Sequence, residues 1–171
     1  MCTLDRPVEL PTRDSYRVAD AFLAGPYPCS IDPAETFRWM RGFARHGVTR
    51  FLDLTHPADP LEPYDRWLAS DALRISHPIP DMGTTTIPHM ARILDDVDAA
   101  IASGTSVYVH CWGGLGRTGT VVGCWLMRHG LDGGDPIHRI AELRRELPDA
   151  RFVSPQTAAQ CAMVSGWRRG S

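Results

Sequence analysis

The sequence predicts an α/β fold, with a central, mainly parallel sheet of about four or five strands flanked by helices. Two observations carry that expectation. Short β-branched and aromatic runs alternate along the chain with segments of helical periodicity, the pattern of layered α/β structure. The helical segments also have readable starts and stops in Asp-Pro, Ser-Pro and Gly signals. With 171 residues, 43% of them hydrophobic, residues 1–171 are expected to form a single domain.

Residues 1–15 are polar and proline-interrupted, which suits an irregular lead-in. Tyr16 to Val18 and Phe22 to Ala24 follow as short strands of a hairpin, closed by Gly25-Pro26-Tyr27-Pro28. Asp32-Pro33-Ala34-Glu35 opens a helix that runs to about His46 and stops at Gly47. Val48 to Leu54 is a strand, then come the proline-rich loop His56 to Pro63, a short helix around Tyr64 to Ala69 and a strand from Leu73 to His77. Pro78 to Gly83 reads as a loop. From Thr86, the residues Ile87, Met90, Leu94, Val97 and Ile101 recur at helical spacing until Gly104. Thr105 to Val109 is a strand, and Leu115 to about His129 a helix closed by Gly130. Two more helices are expected, Asp135 to Leu147 and Ser154 to about Trp167, the latter with Ser154 as N-cap and Pro155 behind it.

The bulk numbers exclude several classes. A net charge of −2 gives no global basic field, so nucleic acid is not an expected partner. No apolar run approaches the ~20 residues of a membrane span, and no secretory signal is present, so a cytoplasmic, non-membrane setting is expected. The five cysteines, Cys2, Cys29, Cys111, Cys124 and Cys161, are odd in number and scattered, which argues against a disulfide framework. Cys124 falls inside a helix and reads as core. His56, Asp59 and Glu62 share one loop without matching His or Cys partners and are not read as a metal site; no metal or cofactor is expected. Arg144, Arg145, Arg168 and Arg169 read as solvated helix faces, and Trp39, Phe43 and Trp125 as core.

The chemistry concentrates in His110-Cys111-Trp112-Gly113-Gly114-Leu115-Gly116-Arg117-Thr118-Gly119, a strand-loop-helix junction. Three glycines between Cys111 and Arg117 let the backbone N–H groups of Trp112, Gly113, Gly114, Leu115 and Gly116 turn inward around one small anion. Arg117 adds a planar fork suited to phosphate oxygens. Cys111, beside a helix N-terminus and a guanidinium, is placed to act as a thiolate nucleophile on phosphorus. Thr118 is expected to donate a hydrogen bond to the departing sulfur. Asp81, thirty residues before Cys111 at the carboxyl end of a strand, is the candidate proton donor. Gln156 and Gln160 stand at a helix start where a water could be positioned, although the residues by themselves read as solvent-facing.

These residues resemble the cysteine-dependent protein tyrosine and dual-specificity phosphatases, nearest to the cyclin-dependent kinase inhibitor-3 (kinase-associated) phosphatase group. The likeness runs from about Val48 to Trp167 through Phe51-Leu52-Asp53-Leu54-Thr55, Pro78 to Thr84, the cysteine loop and Pro155 to Gln160. The resemblance implies a dual-specificity phosphatase-like fold, Cys111 as nucleophile, Arg117 as phosphate ligand, Asp81 as general acid and then base, and Thr118 assisting departure of the thiolate. It also implies that His110 tunes the cysteine and that Gln156 orients water. Trp112 is bulky where some relatives are polar, and the loop holds no lysine, which points to a singly phosphorylated group. No version of the tyrosine-gripping loop is legible, although Tyr16 lies in its region. A phosphoprotein or phosphopeptide carrying phosphotyrosine, phosphoserine or phosphothreonine is the expected substrate. The alternatives are a non-protein phosphomonoester, a non-catalytic phosphate-binding module, and sulfur transfer on a rhodanese-like loop.

Overall fold

The computed structural model describes residues 9–130 and 134–168. Residues 1–8 of the expected lead-in, with Cys2, and Arg169 lie outside the described residues. Five strands, β1 (Tyr16–Ala19), β2 (Phe22–Gly25), β3 (Val48–Asp53), β4 (Leu73–Ser76) and β5 (Ser106–His110), form one sheet in the order β1-β2-β5-β3-β4. β1 and β2 are the antiparallel hairpin; every other pairing is parallel. The helices are α1 (Pro33–Arg45), α2 (Ile87–Ala102), α3 (Gly116–Arg128), α4 (Pro136–Arg144) and α5 (Ala158–Gly166). This is the α/β class expected from the alternation of elements. Among the described residues no helix is long and apolar enough to cross a membrane.

Two apolar layers cover the sheet. Phe22, Ala24, Leu52, Val107 and Val109 point to one face and pack with α2, α3, α4 and α5 residues such as Leu94, Val97, Val121, Ile140 and Val164. Leu23, Phe51 and Tyr108, offset by one residue, point to the other face and pack against Phe43 of α1 and Tyr64. A one-residue register slip would exchange the two sets, so the alternation pins the strand register. That register sets Gly25 and Asp53 on either side of His110, with Ser76 beyond Asp53. Four loops therefore leave one edge of the sheet together, the carboxyl edge where parallel sheets carry their sites.

The expected cap of α1 is present, with Asp32 Oδ1 accepting the Ala34 N–H; Thr86 Oγ1 accepts the His89 N–H and Asp135 Oδ1 the Ile137 N–H at the starts of α2 and α4. The last helix is a correction. Ser154 does not cap it; its hydroxyl donates to the Leu115 carbonyl at 2.8 Å. Thr157 is the cap, in a reciprocal capping box with Gln160, and α5 starts at Ala158. The expected helix near Tyr64 is one 3-10 turn, Asp65–Trp67. Arg144 is also not a solvated residue: it is buried, paired with Asp149 and bonded to the Phe152 carbonyl, and so holds the chain leading to α5. Phe43 is core as expected, whereas Trp39 and Trp125 are partly buried. Tyr16 is buried in the core and forms no wall at the surface.

Candidate active site

β5 ends at His110 and α3 starts at Gly116, so Cys111 to Leu115 bridge a strand end and a helix N-terminus. Cys111 is buried, and its Sγ accepts the Gly114 N–H at 3.3 Å. Gly114 is demanded twice over. Its φ is 75°, and a Cβ there would stand 2.6 Å from the backbone of Gly25 and Pro26. A Cβ on Gly116 would meet the Gln156 and Gln160 amides within 3 Å, so the buried Gln160 would have to shift. A Cβ on Gly113 would meet nothing within 4 Å. Trp112 is 46% exposed at the rim, and its carbonyl is pinned by the Tyr27 N–H at 2.9 Å.

Arg117, in the first turn of α3, is buried and its guanidinium is already oriented. NH1 donates to Asp59 Oδ2 at 2.7 Å and to the Ile79 carbonyl at 3.0 Å; NH2 donates to Asp81 Oδ1 at 3.0 Å. The bonds to NH1 use both of its hydrogens, so a phosphate would be met by Nε and by NH2, the nitrogen that also holds Asp81. The sequence-predicted pair of Cys111 loop and Asp81 is thus brought together through Arg117. Asp59 was set aside as a candidate metal ligand; its carboxylate, 6% exposed, serves the arginine. Among the described residues no group of three or more His, Cys, Asp or Glu is arranged to hold a metal ion.

The Asp81 loop is tied down on both flanks of the aspartate. The Ile79 N–H donates to the Leu54 carbonyl at 3.2 Å, and the Gly83 carbonyl accepts from Gln160 Nε2 at 2.9 Å. Gln160 is therefore fully buried, a correction to its solvent-facing reading, because one amide caps α5 and grips this loop. Gln156 is exposed, with its Oε1 next to Gly116. Thr118 is buried, and its hydroxyl points to the Gly25 carbonyl at 3.4 Å instead of to sulfur.

Behind Cys111 lies a buried network that the sequence did not reveal. His110 Nε2 accepts from Tyr64 Oη at 2.7 Å, and its Nδ1 faces the Cys111 carbonyl at 3.3 Å. Asp53 Oδ1 lies 3.9 Å from Nδ1; its oxygens also take Thr55 and Arg74. One signal was available, a carboxylate inside the apolar strand Phe51-Leu52-Asp53-Leu54, because buried aspartates are almost always paired. Burial drives the pKa of His110 down to about 4, with Arg74 and Arg117 adding to the effect and Asp53 and the Cys111 carbonyl opposing it. The imidazole is neutral at neutral pH, as its one-donor, one-acceptor bonding requires.

A stability prediction follows with a defined sign. An unfolded histidine takes up its proton near pH ~6.5, so between there and pH ~4 the unfolded chain binds a proton that the folded protein refuses. Stability from His110 is full above pH ~6.5 and declines as the pH falls toward ~4, by a few kcal/mol. Denaturant unfolding across this range checks it. His110→Asn, which keeps a donor toward the Cys111 carbonyl, should flatten the curve; the same slope in variant and wild type would count against the assignment.

Cys124 is buried in α3, and burial pushes its thiol up to about 12, so it is an inert core residue as expected. Cys29, Cys111, Cys124 and Cys161 are all free thiols.

Comparison with known proteins gives the family. The model of the Swiss Army Knife protein, DSP-PTPase phosphatase domain, matches residues 32–163. The chain belongs to the DSP-PTPase phosphatase family. The stretch that carries the DSP-PTPase match includes Asp59, Asp81, the whole cysteine loop and both glutamines. Cyclin-dependent kinase inhibitor 3 of Sus scrofa is 26% identical over 99 residues, which cover 58% of this chain and 41% of that protein. The chain thus matches less than half the length of that relative. Tk-PTP in its active form has the same fold, with a TM-score of 0.70 at 23% identity over 89% of this chain and 94% of that one. So does kinase associated phosphatase with its catalytic-site cysteine replaced by serine, with a TM-score of 0.67 at 16% identity, covering 94% and 93% of the two chains.

Proposed function

We propose that this chain is a metal-independent protein phosphatase that hydrolyses phosphotyrosine, and phosphoserine and phosphothreonine, through a cysteinyl-phosphate on Cys111. The observation that carries this reading is the placement of Asp81 on Arg117 NH2, which sets a carboxyl group beside the phosphate ligand of a cysteine loop. The phosphoryl group enters between the loop N–H groups and the Nε and NH2 edge of Arg117, and displaces Asp81 from that edge. Cys111 Sγ attacks phosphorus and forms the P–S bond; the P–O ester bond breaks, and Asp81 gives its proton to the leaving oxygen. Water then attacks phosphorus, Asp81 takes its proton, and the P–S bond breaks to release phosphate. Arg117 and the N–H groups hold the negative charge on the phosphoryl oxygens through both steps, the part a metal ion plays in other phosphoryl-transfer sites. Gln156, exposed beside Gly116, is the group that orients the water.

Phosphoprotein substrates, and a setting in the cytoplasm, are part of the same proposal. A single guanidinium and no lysine in the loop favours one phosphate group, and the exposed Trp112 and Met82 leave the mouth open to a polypeptide surface. Rapid acid quench during turnover of a phosphotyrosine peptide, followed by mass spectrometry, tests the intermediate. A phosphoryl group is expected on the peptide that contains Cys111, and its appearance on another residue would sink the mechanism. Asp81→Asn is expected to lower kcat for phenyl phosphate by about 10²-fold or more, with KM within a few-fold, because a poor leaving group needs the proton. With dinitrophenyl phosphate, whose leaving group needs none, the loss should be under about tenfold. Equal losses on both esters would remove Asp81 from the role of acid.

A further inference from the structure

The loop that carries Asp81 joins the end of β4 to the start of α2, and one chain of side chains holds both of its ends. His77, the first residue after β4, is buried; its Nε2 lies 2.7 Å from Asp96 Oδ2 and its Nδ1 3.3 Å from His89 Nε2. His89 Nδ1 in turn lies 2.6 Å from the hydroxyl of Thr85, the residue before the α2 N-cap. His89 and Asp96 are two turns apart on one face of α2. One assignment of hydrogens pairs every one of these atoms. Asp96 accepts from His77 Nε2–H, His77 Nδ1 accepts from His89 Nε2–H, and His89 Nδ1 accepts from the Thr85 hydroxyl. His89 carries one ring proton in this arrangement. Burial, His77 and Arg92 all lower the pKa of His89, in agreement with a neutral ring.

On the phosphatase reading above, we propose that His77 and His89 are positioning residues, which fix the ends of the loop so that Asp81 stays over the cysteine loop when the leaving oxygen requires a proton. The reason lies in what happens to Asp81 on substrate binding. Its side chain is 57% exposed and accepts a hydrogen bond from Arg117. Once a phosphoryl group takes Arg117 NH2, the place of the carboxyl group depends on the backbone alone. That backbone is held near Asp81 by the Ile79 and Gly83 carbonyls, and at its two ends by the His77-His89 chain. Met82, the next residue, has φ 57°, a left-handed conformation that a loosened loop would leave. A shift of about 1 Å at a catalytic group can cost on the order of 10² in rate.

The test compares His89→Leu, which breaks the chain, with His89→Gln, which keeps an N–H for His77 Nδ1. Steady-state rates are measured with phenyl phosphate and with dinitrophenyl phosphate. His89→Leu is expected to lower kcat for phenyl phosphate about tenfold or more, while its KM, and kcat for dinitrophenyl phosphate, stay within about twofold. His89→Gln should recover most of the loss. If His89→Leu slows both esters equally, or His89→Gln restores nothing, the network is merely structural and the inference is overturned. Thr85→Val, which removes one hydroxyl, carries the same test should His89→Leu fail to fold. Wild-type turnover of dinitrophenyl phosphate separates the two levels: its absence overturns the phosphatase reading and this inference with it, whereas its presence with equal slowing overturns the positioning role alone.

Discussion

Cys111→Ser is expected to lower turnover of an aryl phosphate by at least about 10⁴-fold, with the fold and phosphate binding retained. A serine hydroxyl needs a base to become a nucleophile at neutral pH, and none is available in the first step, where Asp81 holds the proton meant for the leaving oxygen. His110 has both nitrogens committed, to Tyr64 and to the Cys111 carbonyl, and it lies behind the loop. The Thr118 hydroxyl is turned to Gly25, and Asp59 is taken up by Arg117 and the His56 N–H. The cradle itself does not need sulfur. A serine oxygen can accept the Gly114 N–H as Sγ does, so the loss of stability should stay below about 2 kcal/mol. Calorimetric titration with inorganic phosphate should give a dissociation constant within a few-fold of wild type. Turnover within tenfold of wild type would place the nucleophile elsewhere and return the chain to the class of phosphate-binding modules or to another chemistry.

What the sequence disclosed and what it hid differ in the range of the interactions involved. The cysteine loop was legible because its requirements are local: a strand, three glycines and a helix start within one short stretch. Asp81 was legible at second hand, from a strand end and two prolines, because parallel topology brings strand ends to one edge. Asp59 was not, since its partner Arg117 is 58 positions away and nothing in a proline-rich acidic loop says which carboxylate turns inward. Tyr64 and His110, 46 positions apart, meet for the same non-local reason. The start of α5 shows two acceptable caps competing, Ser154 and Thr157. The choice was made by the Leu115 carbonyl, which recruits the Ser154 hydroxyl from 39 positions away and ties the last helix to the phosphate-binding loop. Gln160 followed: as the partner of Thr157 in a capping box it turns inward, where the Gly83 carbonyl needs a donor.

Arg117→Lys is expected to lower kcat/KM for an aryl phosphate by about 10³-fold, although the charge is conserved. The guanidinium spans three protein acceptors in different directions, Asp59, Ile79 and Asp81, and keeps NH1 on Asp59 and Ile79 while its Nε and NH2 edge turns to phosphate. An ammonium has three hydrogens on one nitrogen, so reaching Asp59 withdraws it from the phosphate and reaching the phosphate strands Asp59. Stranding Asp59 is costly in its own right, because a carboxylate this buried loses its compensating charge, a change worth roughly 3–5 kcal/mol when complete. The variant should therefore lose stability as well as activity, and thermal unfolding measured beside the kinetics separates the two. Asp59→Asn divides the problem differently. It keeps an oxygen for NH1 and leaves the whole guanidinium in place, but weakens the bond that fixes its rotation. A loss of about tenfold in kcat/KM is expected, shared between KM and kcat, because a loosened arginine binds both the substrate and the transition state less well. If Asp59→Asn were as damaging as Arg117→Lys, Asp59 would have to act on the reacting group directly and not through the arginine, and the inner carboxylate, not Asp81, would become the candidate acid.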